Sequence, residues 1–236
     1  MPALRIATSL FVILAIRAAQ AQQTVASAPE SSRTTGAEVS FEFERPGLPV
    51  PKFSLQVGED GSAHYVADEI LTQRRSADYG PSAPQRIDRQ AMISRSTTTQ
   101  IFAAARELNY FNTACASKAK NIADTGKKTL RYTGDGSSGT CTYNFSQEKR
   151  VAMLTDLFLG IAHTLDVGRK LEFDHRFDRL GLDADTAALV DDVAAGRAVE
   201  LATIAPTLKS IASDSEVLER VRARAIKLLQ QAQPAG

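Results

Sequence analysis

Tryptophan is absent from the 236 residues, and the other aromatics are few. Carbohydrate binding through stacked indoles therefore has no support. An excess of charge is also missing, since 28 basic side chains face 27 acidic ones. So balanced a chain lacks the electrostatic footprint of a nucleic-acid binder, and none is expected as a partner. The lipase-type Gly-x-Ser-x-Gly and the zinc-protease His-Glu-x-x-His do not occur. Cysteine is limited to Cys115 and Cys141.

The N-terminus is organised for export. Arg5 opens it, an apolar run extends from Ile6 to Ile16, and Ala19-Gln20-Ala21 offers small residues where a signal peptidase reads. That run is too short for the about 20 residues a membrane-spanning helix needs, and Arg17 closes it. Residues 1–21 are therefore expected to be a signal peptide cleaved between Ala21 and Gln22, leaving no stable membrane anchor; an uncleaved anchor is the alternative. Cleavage removes two arginines and no acid, so 26 basic residues face 27 acidic ones in the mature chain. The protein is expected in the periplasm or outside the cell. In such an oxidising compartment the two cysteines form one disulfide, closing a loop of about 26 residues. A redox-active pair would instead require Cys-x-x-Cys spacing.

Residues 22–38 are small, polar and free of aromatics, as in a flexible leader. Alternation then predicts strands at Val39–Glu44, Phe53–Val57 and Ala63–Ala67, with Glu59-Asp60-Gly61 as a turn. Residues 74–86 read as an irregular loop and Ala91–Ser94 as a third strand of that group. A helix capped by Ser96 or Thr97 should follow, to about Leu108. The pattern then recurs, with strands at Thr129–Tyr132 and Thr140–Phe145 around a turn at 134–139. A long helix capped by Ser146 follows, with Val151, Leu154, Phe158, Ile161 and Leu165 on its stripe.

These units predict an α+β fold: an antiparallel sheet built from two hairpin-plus-helix units, with helices on one face. The expected division is an α+β domain at 39–170 and a helical C-terminal subdomain at 171–236. In the latter, Gly181 should stop one segment, Asp183 or Asp185 cap the next, and Pro206 kink a third. Ser213 and Glu216 form a capping-box pattern for the last helix.

Several motifs fail on their chemistry. Asp124-Thr125-Gly126 matches the aspartic-protease tripeptide, but two lysines follow and no second copy exists to share a proton. Gly126-Lys127-Lys128-Thr129 lacks the upstream glycine of a phosphate loop, whose place is held by Asn121. A calcium loop starting at Asp183 would need ligands at Ala187 and Ala194 and a glycine at Ala188. The densest ligand-type group is Glu172, Asp174, His175 and Asp178. It suggests a divalent-metal site, or His175 as a general base oriented by a carboxylate. Arg169, Lys170, Arg176 and Arg179 are interleaved with it, which is the pattern of an exposed, ion-paired helix.

Gly126-Lys127-Lys128-Thr129-Leu130, Leu154-Thr155-x-Leu157-Phe158, Gly168-Arg169-Lys170-Leu171 and the stretch from His175 to Asp183 together resemble a group of secreted bacterial proteins of uncharacterised function. The resemblance spans roughly Leu55 to Leu229 and implies export, with no activity to carry over.

The functional expectation is a non-enzymatic extracytoplasmic binding or interaction protein with a protein partner in the cell envelope and no cofactor. Turns 59–61 and 134–139 and the helical tail would supply its surfaces. The alternatives are a hydrolase built on Glu172, Asp174, His175 and Asp178, and a structural accessory of an envelope complex. A cleft lined by His175 and carboxylates would favour the enzyme.

Overall fold

A computed structural model describes residues 36–70, 84–134 and 136–233. The signal segment, the Ala21–Gln22 cleavage site, most of the leader and most of the 74–86 loop lie outside the described residues. Burial begins with Ala37 at the end of the leader.

Six strands form one antiparallel sheet: β1 (Glu38–Glu44), β2 (Lys52–Gly58), β3 (Ser62–Glu69), β4 (Gln85–Met92), β5 (Lys127–Gly134) and β6 (Ser137–Tyr143). Their order is β4-β3-β2-β1-β5-β6, so the first strand joins the two hairpin units at the centre. Because side chains alternate across a strand, the register aligns Cys141, Leu130, Phe41, Leu55 and Tyr65 in one row on the core face. Thr142, Thr129, Glu42, Ser54, Val66 and Asp88 form a row on the open face, which is mostly polar.

Helix α1 (Arg95–Glu107) and the long α2 (Lys149–Phe177) cover the core face. Ser94 caps α1, its hydroxyl accepting from the Thr97 amide at 3.3 Å. That is two residues earlier than Ser96, the first of the expected caps. A 3₁₀ turn at Asn109–Phe111 lies against β6. There the backbone approaches so closely that a Cβ on Gly139 would lie 2.1 Å from the Tyr110 carbonyl oxygen. Cys115 and Cys141 are bonded, tying the following loop to β6 and indicating an oxidising, extracytoplasmic environment.

The Gly-Lys-Lys motif opens β5, and its role is structural. Lys128 lies on the core face, where its ammonium donates to the Thr125, Gly126 and Asn144 carbonyls at 2.9–3.0 Å and to the Thr125 hydroxyl. One buried cation thus joins the entry to β5 with the exit from β6.

α2 has 29 residues, which at 1.5 Å per residue is roughly 43 Å of helix. It is long and apolar enough to cross a membrane, but over half of its apolar window is buried inside the protein, as in a core helix. Its first half packs on the sheet through Val151, Leu154, Phe158 and Ile161. Its second half enters a separate core with Leu182, Leu189, Leu208, Val221 and Leu228. These belong to α3 (Gly181–Ala194), α4 (Ala205–Ser213) and α5 (Glu219–Gln231), the C-terminal helical region. Position 170 falls inside α2, which is continuous across it.

A polar seam joins the two cores. Thr164 donates to the Val199 carbonyl and accepts from the Val199 amide. Glu200 receives the Ser94 amide and hydroxyl and the Thr97 hydroxyl, fastening the C-terminal region to the start of α1.

Five local expectations are revised. The strand expected at Ala91–Ser94 runs from Gln85 to Met92; as an edge strand with many charged residues it shows little apolar alternation. Gly181 opens α3 rather than closing a segment, since the preceding helix ends at Phe177. Pro206 starts α4, where its missing amide costs nothing. The Ser213–Glu216 capping box is not formed: α5 begins at Glu219, and Asp214 accepts the Glu216 amide. Asp183 is no cap either. It binds Arg220 and Arg224 of α5, which hold its carboxyl well below the usual range.

Candidate functional site: an arginine cleft at the seam

A half-open cleft of about 690 Å³ lies between β4, α2 and α4. On α2 the spacing Leu165, Gly168, Glu172, His175 follows the helical period, so these residues share the face that lines it. Gly168 is needed there. A Cβ at that position would lie 2.2 Å from the Ile204 side chain, so the small residue lets the 3₁₀ turn Leu201–Ile204 approach α2.

Arg89, Arg169, Arg176 and Arg179 line the cleft, against the carboxylates of Glu172 and Asp214. The register places Arg89 on the core face opposite Tyr65, at the sheet edge, where its guanidinium reaches α2 instead of being buried. Glu172 accepts from both Arg89 and Arg176 at 3.2 Å. Asp214 accepts from His175 at 2.9 Å and pairs with Arg179 at 3.5 Å. The Glu216 amide, followed by His175, lowers the Asp214 pKa. Each carboxylate is thus shared by two cationic or donor groups, and several N–H donors of the four guanidiniums are unspent.

The run Glu172, Asp174, His175, Asp178 does not converge. Asp174 is buried and binds Lys170, Asp178 ends α2 and accepts the Gly181 amide, and Glu172 and His175 face the cleft. Among the described residues no three His, Cys, Asp or Glu side chains assemble as a metal would require. The carboxylate that orients His175 is Asp214, 39 positions along the chain. His64 and His163 likewise each meet an aspartate, Asp88 at 2.9 Å and Asp192 at 2.7 Å. The spacing Ser-x-x-Lys occurs at Ser117–Lys120 and at Ser146–Lys149, and in the latter the Ser146 hydroxyl accepts from the Glu148 amide just before α2. Ser117 and Lys120 lie in an irregular loop where no helical turn brings them together, and the Ser117 hydroxyl accepts from the Ala119 amide.

On the other side of the Arg89–Glu172–Arg176 bridge runs a groove of about 850 Å³. Glu69, Asp166 and Arg169 are among its polar lining residues: Asp166 accepts from Tyr65 at 2.9 Å and Arg169 donates to Glu69 at 2.7 Å. Burial raises the Asp166 pKa against the pull of Tyr65 and Arg169. Pro49, Val50, Val167, Phe173 and Phe177 supply the apolar lining of the groove.

These features define an α+β protein with a basic cleft at the junction of its sheet and helical regions. No protein-family model matches the chain, and no curated protein matches it in sequence.

Proposed function

We propose that the chain is an exported, non-enzymatic binding protein that holds an anionic group in the arginine cleft. The ligand carries a carboxylate or phosphate, free or displayed on an envelope protein. The observation that supports this reading most strongly is that Arg89 and Arg176 share the single carboxylate of Glu172 where they line the cleft, whereas Arg169 is paired with Glu69 and Arg179 with Asp214 and Glu216. The two bonds to Glu172 are half-exposed surface pairs, worth about 0–1 kcal/mol each, so an incoming anion displaces them at little cost. Arginine also presents paired donors that match a carboxylate or phosphate edge. Export on residues 1–21 into the periplasm or medium, and membership of the secreted bacterial group noted above, belong to the same reading; the bonded cysteines are consistent with export.

Calorimetric titration of the purified chain with inorganic phosphate and with citrate at low salt tests it. Saturable binding that weakens with added salt and disappears in R89A/R176A is expected. Equal heats from wild type and variant would overturn it.

A second reading, an enzyme, is favoured by the cleft lined by His175 with the carboxylates of Glu172 and Asp214, and rests on the His175–Asp214 pair. A histidine oriented by a carboxylate inside a cleft is the arrangement of a general base. Among the described residues, however, the imidazole bonds to no hydroxyl, and nearby Ser210 donates to the Pro206 carbonyl. Hydrolysis of an activated ester at a rate abolished by H175A would establish the enzyme; a rate unchanged by H175A would dismiss it.

A further inference from the structure

We infer that the ligand is a single-chain amphiphile whose anionic head binds Arg89 and Arg176 while its apolar tail lies along Phe173 and Phe177. This rests on the anion-binding reading and adds the ligand class. The cleft and the groove are not independent: Arg89, Arg169, Glu172 and Arg176 line both, so the basic centre of one is the basic end of the other. Beyond the shared arginines, Pro49, Val50, Val167, Phe173 and Phe177 line the groove together with Lys170 and the carboxylates of Glu69, Asp166 and Asp174.

Phe173 and Phe177 sit one helical turn apart on α2 with ring centroids at 5.0 Å, and they are 57% and 73% exposed. Elsewhere the stripe of this helix is buried, so the aromatic pair is an exception confined to the groove. Pro49 and Val50 also line the groove. A purely polar anion would leave this surface in water. A cationic amphiphile would meet the guanidiniums head-on. A carboxylate at the end of an alkyl chain satisfies both parts, with its head exchanged for Glu172 on the two arginines and its tail against the phenylalanines. About 850 Å³ is within the range of small-molecule sites.

The test is calorimetric titration of the full exported chain with hexanoate, octanoate and decanoate, all below micelle-forming concentration, and with inorganic phosphate and decyltrimethylammonium. Wild type, F173S/F177S and R89A/R176A are compared. Both phenylalanines are exposed, so their replacement does not threaten the fold; F177S alone serves as the milder variant.

Affinity is expected to rise with chain length by up to about fourfold per added methylene. F173S/F177S should flatten that rise and leave phosphate binding unchanged, and R89A/R176A should abolish both. If phosphate binds and decanoate binds no tighter than hexanoate, the amphiphile is ruled out and anion binding stands. If neither anion responds to R89A/R176A, anion binding itself falls. Decyltrimethylammonium binding as well as decanoate would also overturn the inference. So would sedimentation with anionic phospholipid vesicles that depends on Phe173 and Phe177 in the absence of decanoate binding, since the pair would then serve a bilayer.

Discussion

Glu172 accepts hydrogen bonds from Arg89 on β4 and from Arg176 one turn along α2, both at 3.2 Å. A single carboxylate therefore occupies the two guanidiniums that stand between the cleft and the groove. It is an internal competitor for any anion that enters.

Replacing it should help the ligand. E172Q keeps the shape and removes the charge, so phosphate and decanoate should bind a few-fold tighter in calorimetry. Stability should change by less than about 1 kcal/mol, because the lost pairs are surface pairs. Weaker binding in E172Q would mean that Glu172 positions the arginines rather than competing with the ligand.

Lys128 should behave as a structural residue. K128M leaves the Thr125, Gly126 and Asn144 carbonyls without their shared donor. Urea unfolding should show a loss of about 2 kcal/mol, the worth of hydrogen bonds to a charged group. Anion binding by the folded variant should be unchanged, because Lys128 does not line the cleft.

Gly168 and Ile204 form a coupled pair. G168A drives a methyl group into Ile204, and overpacking of this kind costs about 1–3 kcal/mol. I204A makes room for it, so G168A should cost clearly less in the I204A background. A double-mutant cycle in urea measures the difference; additive effects would contradict the close contact.

Stability should fall at high pH for an identifiable reason. Burial, with the nearby Asp156, pushes the Tyr143 phenol up to about 12, against the pull of its hydrogen bond with Thr155. Between about pH 10 and that value the unfolded chain loses this proton while the folded chain keeps it, so stability drops as pH rises. With no tryptophan to obscure the signal, ultraviolet titration should show a late phenolate step that Y143F removes. Y143F should also reduce the stability loss over that window, leaving the part due to Tyr65, whose phenol burial and Asp166 push up further.

The strand pattern was legible because one face of the sheet is buried and the other wet. Phe41, Leu55 and Leu130 alternate with Glu42, Gln56 and Arg131, and that period survives in the sequence. β4 was less legible because, at the sheet edge, polar residues surround its buried Ile87. The helix caps were displaced by tertiary bonds: Asp183 is taken by two arginines of α5 and Asp214 by His175. For the site, α2 carried a readable signal, since Leu165, Gly168, Glu172 and His175 already share a face by helical period. Arg89 and Asp214 did not. They reach the cleft from 83 and 39 positions away from their partners, through a register and a chain reversal that no local pattern encodes.

The most direct measurement follows the arginine side-chain Nε–Hε resonances by nuclear magnetic resonance while phosphate, then decanoate, is added. Arg89 and Arg176 should shift saturably with both, and the Phe173 and Phe177 ring signals should move only with decanoate. Unmoved Arg89 and Arg176 signals, or shifts spread evenly over surface arginines, would contradict a built anion site in this cleft.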